Sequence, residues 1–182
     1  LFAILGLGRL GLWQLDRAAE KVAAQQIMEA ESQISAQPIQ DIPRGHLNRA
    51  NPELQNRHVS LNGEYLNDRT ILLLAEFHET QIGYGVVTPF RLSATGELVL
   101  VNRGWTSAVN RPGEKIRTAP VEGPVSLKAQ IYVPPSGARV IGSEIDATQW
   151  PIFTRDLEFD VLGQVFGEEL FPFELRLTAD QP

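Results

Sequence analysis

The chain has 182 residues, 43% of them hydrophobic and 21% charged, a balance that suits one globular domain and excludes a disordered one. A formal net charge of −6 excludes the basic footprint that nucleic acid demands, so no nucleic-acid partner is expected. With no cysteine there is no disulfide, thiolate metal site or thiol nucleophile.

Residues 1–17 read LFAILGLGRLGLWQLDR. The apolar run is shorter than the roughly 20 residues that a spanning helix needs. No basic segment precedes it and no small-residue cleavage site follows, so it does not read as a signal peptide. We read it as the C-terminal end of a transmembrane helix, with Trp13 at headgroup level and Asp16 and Arg17 in water. Arg9 supports the alternative, an amphipathic core helix, because a charge inside a membrane is costly. Helical spacing continues through Leu15, Ala19, Val22, Ala23 and Ile27 to about Ser35, with Arg17, Glu20 and Lys21 on the solvated side. Residues 36–57, rich in Pro, Asn and Gln, are predicted to be an extended connector over the surface.

The period then changes to two. Strands are predicted over 58–66 with a bulge at Gly63, over 69–77 after a turn at Asn67-Asp68, and over 82–92 with Pro89 at an edge or bulge. A hairpin connection at 93–97 leads into Val99-Leu100-Val101-Asn102-Arg103-Gly104-Trp105. Close spacing with short turns predicts antiparallel pairing of these four strands. Residues 107–120 form a polar, locally basic loop, and 121–133 a long strand. Trp150 looks exposed, a helix starts near Asp156 with Leu157, Val161, Leu162 and Val165 inward, and 169–177 closes as a strand. The fold class is therefore α+β: a mainly antiparallel, barrel-like sheet with a long N-terminal helix and one C-terminal helix. One domain overall is expected, with a helix over 1–35 at the membrane exit, the connector over 36–57 and a β-rich part over 58–182.

Chemistry is sparse. No nucleophile motif occurs, and GLGRLG at 6–11 follows no strand, so it cradles no phosphate. His46, His58 and His78 have no metal-ligand spacing. The acids Asp156, Glu158 and Asp160 suit a helix N-terminus better than acid–base work. No catalytic or metal-binding residue is assigned, and no enzyme activity is expected.

Five segments carry a resemblance in fixed order: LGLWQLDRAAEK at 10–21, LNGEYL at 61–66, GYGVVTPF at 83–90, VLVNRGW at 99–105 and WPIFTRDLE at 150–158. Together they resemble the surfeit locus protein 1 family, the cytochrome c oxidase assembly factors. The motif positions are Gly11, Trp13, Gln14, Arg17, Gly63, Tyr65, Gly85, Pro89, Asn102, Arg103, Gly104, Trp105, Arg155 and Asp156. The resemblance implies a membrane protein that assists haem a handling and insertion into the catalytic subunit of a haem-copper oxidase. It implies that subunit and other assembly or haem-synthesis proteins as partners. The implied location is the bacterial inner membrane with the β-rich part in the periplasm, or alternatively the mitochondrial inner membrane. The family's candidate haem-ligand histidine lies in a second spanning helix, and His46, His58 and His78 do not match it. Haem a is thus expected, if anywhere, in the full-length protein and not in this stretch. The alternative is a membrane-anchored periplasmic β-barrel module that binds a lipid or a peptide.

Within VLVNRGW, strict period two would put Val99, Val101, Arg103 and Trp105 on one face. That predicts Arg103 against an aromatic or a carboxylate, with Trp105 as the neighbour, and Gly104 where another group approaches closely.

Overall fold

The computed structural model describes residues 35–78, 80–108, 118–134 and 145–178. The segment expected to form the N-terminal helix, with Gly11, Trp13, Gln14 and Arg17, lies outside the described residues.

Among the described residues, eight strands and one α-helix follow in order: β1 (Gln37–Pro38), β2 (His58–Tyr65), β3 (Ile71–His78), β4 (Gln81–Leu92), β5 (Leu98–Ser107), β6 (Val125–Tyr132), β7 (Ile152–Thr154), α1 (Phe159–Phe166) and β8 (Leu170–Leu177). They pair in the order β1-β2-β6-β8-β5-β4-β3-β7, and an added β2–β4 pairing closes β2, β6, β8, β5 and β4 into a five-stranded barrel. Most pairs are antiparallel; β1–β2, β3–β7 and β5–β8 are parallel. The expected β2–β3 neighbourhood does not form. A 3-10 turn at Asn67–Arg69 lifts the chain out of the barrel, and β2 pairs β4 directly.

Strand β4 makes both arrangements possible because it is twelve residues long. Its first half, to Val87, pairs β3, while Phe90 to Leu92 pair β2 on the same edge. Pro89 sits in the gap between them, where its missing N–H disrupts neither ladder, and its carbonyl accepts from the Leu66 amide at 2.9 Å.

Alternation fills two cores. Val59, Leu61, Phe90, Val99, Val101 and Phe173 point into the barrel. Leu98 and Leu100 point the other way, against Ile71, Ile152, Phe159 and Leu162 in a second layer. The Leu-Val-Leu-Val run of β5 is apolar on both faces because both faces are covered. The predicted surface connector is a different object. Between β1 and β2 the chain makes three 3-10 turns, and Ile39, Ile42, Leu47 and Leu54 are buried against the barrel core. Their apolar side chains gain more from burial than an extended surface path would allow.

Other expectations shift by small amounts. Gly63 is not a bulge: it pairs Leu92 on one side and Val125 on the other, and a Cβ there would run into the Arg91 carbonyl oxygen. Trp150 is partly buried, its ring 5.8 Å from that of Phe166 and beneath the Arg69 guanidinium at 5.0 Å. Helix α1 starts three residues later than expected and buries Phe159 and Leu162. It ends at Gly167, φ 69°, where the Gly167 amide donates to Gln164 and the Glu168 amide to Gly163, a left-handed cap.

Candidate functional site

Two bulges flank Gly85 on β4, one on each neighbouring strand. On β3, Leu73 faces Gly85 and Glu76 faces Gly83, leaving one residue extra, with Ala75 at φ 62°. On β5, Asn102 faces Val87 and Trp105 faces Gly85, again with one residue extra. Gly104 carries φ 108°, and its amide donates to the Asn102 side-chain oxygen at 3.0 Å.

The β5 bulge changes the faces of the motif. Arg103 stays on the side of Val101, and its guanidinium lies over the Tyr65 ring, 4.7 Å from the centroid. Its terminal amine donates to the Ala119 carbonyl at 2.8 Å, and its Nε is buried without an acceptor. Trp105 falls on the side of Asn102, donates from its indole N–H to the Glu76 carbonyl at 3.1 Å, and lies 5.4 Å from the His78 ring. The expected aromatic neighbour of Arg103 is therefore present, but it is Tyr65 and not Trp105. Burial pushes the Tyr65 hydroxyl up to about 12, with the nearby Arg103 charge opposing, so the phenol is neutral beneath the cation. Gly104 is not a close approach either. Nothing lies within 4 Å of an added Cβ, and its positive φ is what calls for glycine. The close approach is at Gly83, where a Cβ would meet the Trp105 ring and the Thr106 carbonyl.

The β3 bulge borders a cleft of about 620 Å³ on the outer face of the barrel, lined by β3, β8 and the segment leading into α1. Strand β8 turns Phe171, Phe173 and Leu175 into the barrel, which leaves Glu174 and Arg176 facing outward. Glu174 is only 3% exposed. One carboxylate oxygen accepts from the Arg176 Nε at 2.8 Å, and the other receives only a long 3.5 Å contact from the Asn102 amide. Burial pushes the Glu174 carboxyl above the usual range; Arg176 and Asn102 oppose that shift and the like charge of Glu76 adds to it. Arg176 also stacks 3.5 Å over the Tyr132 ring. Arg155 and Asp156 line the same cleft, and the Asp156 Oδ2 is buried without a donor.

Of the motif positions, the structure brings Arg155 and Asp156 to the cleft, sets Asn102 against Glu174, and places Tyr65 under Arg103 on the barrel side. Gly63, Gly85, Pro89 and Gly104 shape the backbone between them. Glu174, Arg176 and Glu76 were not among the candidates. The available signal was Glu174 itself, a carboxylate two residues from an arginine inside an otherwise apolar alternating strand.

No histidine, cysteine or methionine lines this cleft, and five of its side chains are carboxylates. Tyr132 is the one lining side chain of a type that can ligate haem iron, and its ring is covered by the Arg176 guanidinium. Among the described residues no group of three His, Asp or Glu could hold a metal ion, and no helix is long and apolar enough to cross a membrane.

A family model described as the SURF1 family matches residues 1–180. A SURF1-like protein of Monosiga brevicollis is 32% identical over 131 residues, covering 65% of this chain and 48% of that protein. The Saccharomyces cerevisiae cytochrome oxidase assembly protein SHY1 is 31% identical over 98 residues, covering 54% of this chain and 24% of that protein. Surfeit locus protein 1 of Mus musculus is 29% identical over 132 residues, 65% of this chain and 42% of that protein. The matched region spans about half, or less, of the length of these curated relatives.

Proposed function

The chain belongs to the SURF1 family, and on that premise we propose that it is an assembly factor for cytochrome oxidase. The observation that carries this reading is the family match over residues 1–180, supported by the name of the yeast relative. The role is one of binding and not of turnover. A closed barrel with two filled cores is a rigid scaffold, and its bulged β3–β4–β5 ribbon presents a shaped, charged cleft to a partner.

The partners on this reading are the catalytic subunit of the oxidase and other assembly or haem-synthesis proteins. Haem a, on this reading, is handled by the full-length protein. The protein acts at the membrane that carries the oxidase: the mitochondrial inner membrane in a eukaryote, or the bacterial inner membrane with this domain on the periplasmic side. The reading as a lipid-binding barrel is the weaker one, because Phe90, Phe173 and Leu127 fill the interior and leave no lumen.

Affinity capture of the full-length protein from membranes actively assembling oxidase tests the proposal. Recovery of the newly made catalytic subunit is the expected result. A catalytic subunit that is never captured, even after cross-linking, contradicts it.

A further inference from the structure

Five carboxylates but only three arginines, Arg49, Arg155 and Arg176, line the Glu174 cleft, so its negative charge exceeds its positive charge. Arg176 is engaged by Glu174 and by the Tyr132 ring. Arg49 donates to the Pro172 carbonyl at 3.0 Å and lies over the Phe159 ring. Glu76 stands close enough for its charge to act on Glu174, yet its own carboxylate has no ion pair among the described residues. Among the described residues one Glu174 oxygen has only the long Asn102 contact, and the buried Asp156 Oδ2 has no donor. Buried carboxylate oxygens normally find donors, so this set is short of hydrogen-bond donors as well as of positive charge.

We propose that the cleft receives a cationic side chain, arginine or lysine, from a partner polypeptide, with its charged head between Glu76 and Glu174. A guanidinium or ammonium supplies donors only, the complement of what the cleft lacks. Leu73, Pro134, Leu157 and Val161 offer apolar wall for the alkyl stem, as long cationic side chains require. Stacking of Arg176 on Tyr132 shows that the site already accommodates a planar guanidinium against an aromatic ring. The inference concerns the chemistry that the cleft accepts and stands or falls apart from the oxidase reading.

The test is an NMR titration of the full chain with acetyl-Leu-Arg-Leu-amide, with Gln- and Glu-centred versions and spermidine as comparisons. Saturable shifts at the Asn102 side-chain amide and the Glu174 and Arg176 backbone amides are expected with the Arg peptide, and weaker or no shifts with the others. Glu76→Gln, an exposed change that leaves the fold intact, should weaken the Arg peptide about fivefold, the effect of one partly exposed ion pair. Glu174→Gln should weaken it more than Glu76→Gln does. Equal binding by the Gln peptide, tighter binding by the Glu peptide, no effect of Glu76→Gln, or no cleft shifts would each overturn the proposal. Tighter binding of spermidine than of the Arg peptide would overturn the polypeptide source.

Discussion

The Arg103 guanidinium lies 4.7 Å over the Tyr65 ring, joining the end of β2 to the bulge of β5 across the barrel wall. A cation–π contact of this kind contributes about 0.5–2 kcal/mol, the more the drier it is. Arg103→Met keeps the stem and removes the charge, and it should cost about 1 kcal/mol in chemical denaturation. Tyr65→Ala also empties core volume and should cost about 3–5 kcal/mol. The double variant should lose less than the sum of the two, because the contact can be lost only once.

Tyr65 also fixes an alkaline limit. Its folded value of about 12 stands above the ordinary 10, so its contribution is present in full below pH 10 and disappears as pH rises toward 12. Denaturation midpoints should fall over that window in the wild type and less steeply in Tyr65→Phe.

Gly104 and Gly83 should respond differently to the same change. Gly104→Ala meets no atom but must hold φ 108°, which costs about 1–3 kcal/mol and leaves the fold intact. Gly83→Ala forces the Trp105 ring off its seat, so a shift in tryptophan emission is expected there and not at Gly104.

Glu174 sets the acid side. Its folded carboxyl titrates above the ordinary 4.5, because burial penalises the charged form more than Arg176 and Asn102 favour it. The stability it contributes is complete below pH 4.5 and is lost as pH rises through the elevated value. The difference in unfolding free energy between wild type and Glu174→Gln should therefore move against the wild type as pH rises from 4.5 toward neutrality. Arg176→Met leaves the buried carboxylate with less compensation and should cost about 1–3 kcal/mol at neutral pH, less in acid.

Arg91 and Glu168 form a two-pronged pair at 2.8 and 2.9 Å, linking β4 to the exit of α1. Hydrogen bonding to Arg91 holds the Glu168 carboxyl below its usual range, so this contribution is present above about pH 4.5 and is lost on acidification. Both side chains are more than a third exposed, and Glu168→Ala should cost no more than about 1 kcal/mol in a denaturant series.

The strands were legible where one face meets the core, since burial enforces period two. His58–Tyr65 and Leu170–Leu177 match their predicted spans to within one residue for that reason. The pairing order was not legible, because nothing in Asn67-Asp68 distinguishes a hairpin from a turn that leaves the barrel. The motif Asn102-Arg103-Gly104-Trp105 pointed to the family correctly and placed Arg103 on the right face but Trp105 on the wrong one. One inserted residue reverses the alternation, and a positive φ at glycine is invisible in a list of residues. Glu174 stayed hidden because its burial depends on parallel pairing with β5, some seventy residues earlier in the chain.

The central claim is that this chain serves cytochrome oxidase assembly, and the haem a absorption of the oxidase in cells lacking the gene tests it most directly. The account expects that absorption to fall in proportion to assembled enzyme and to return when the full-length gene is restored. Unchanged oxidase spectra in the deleted cells would contradict it.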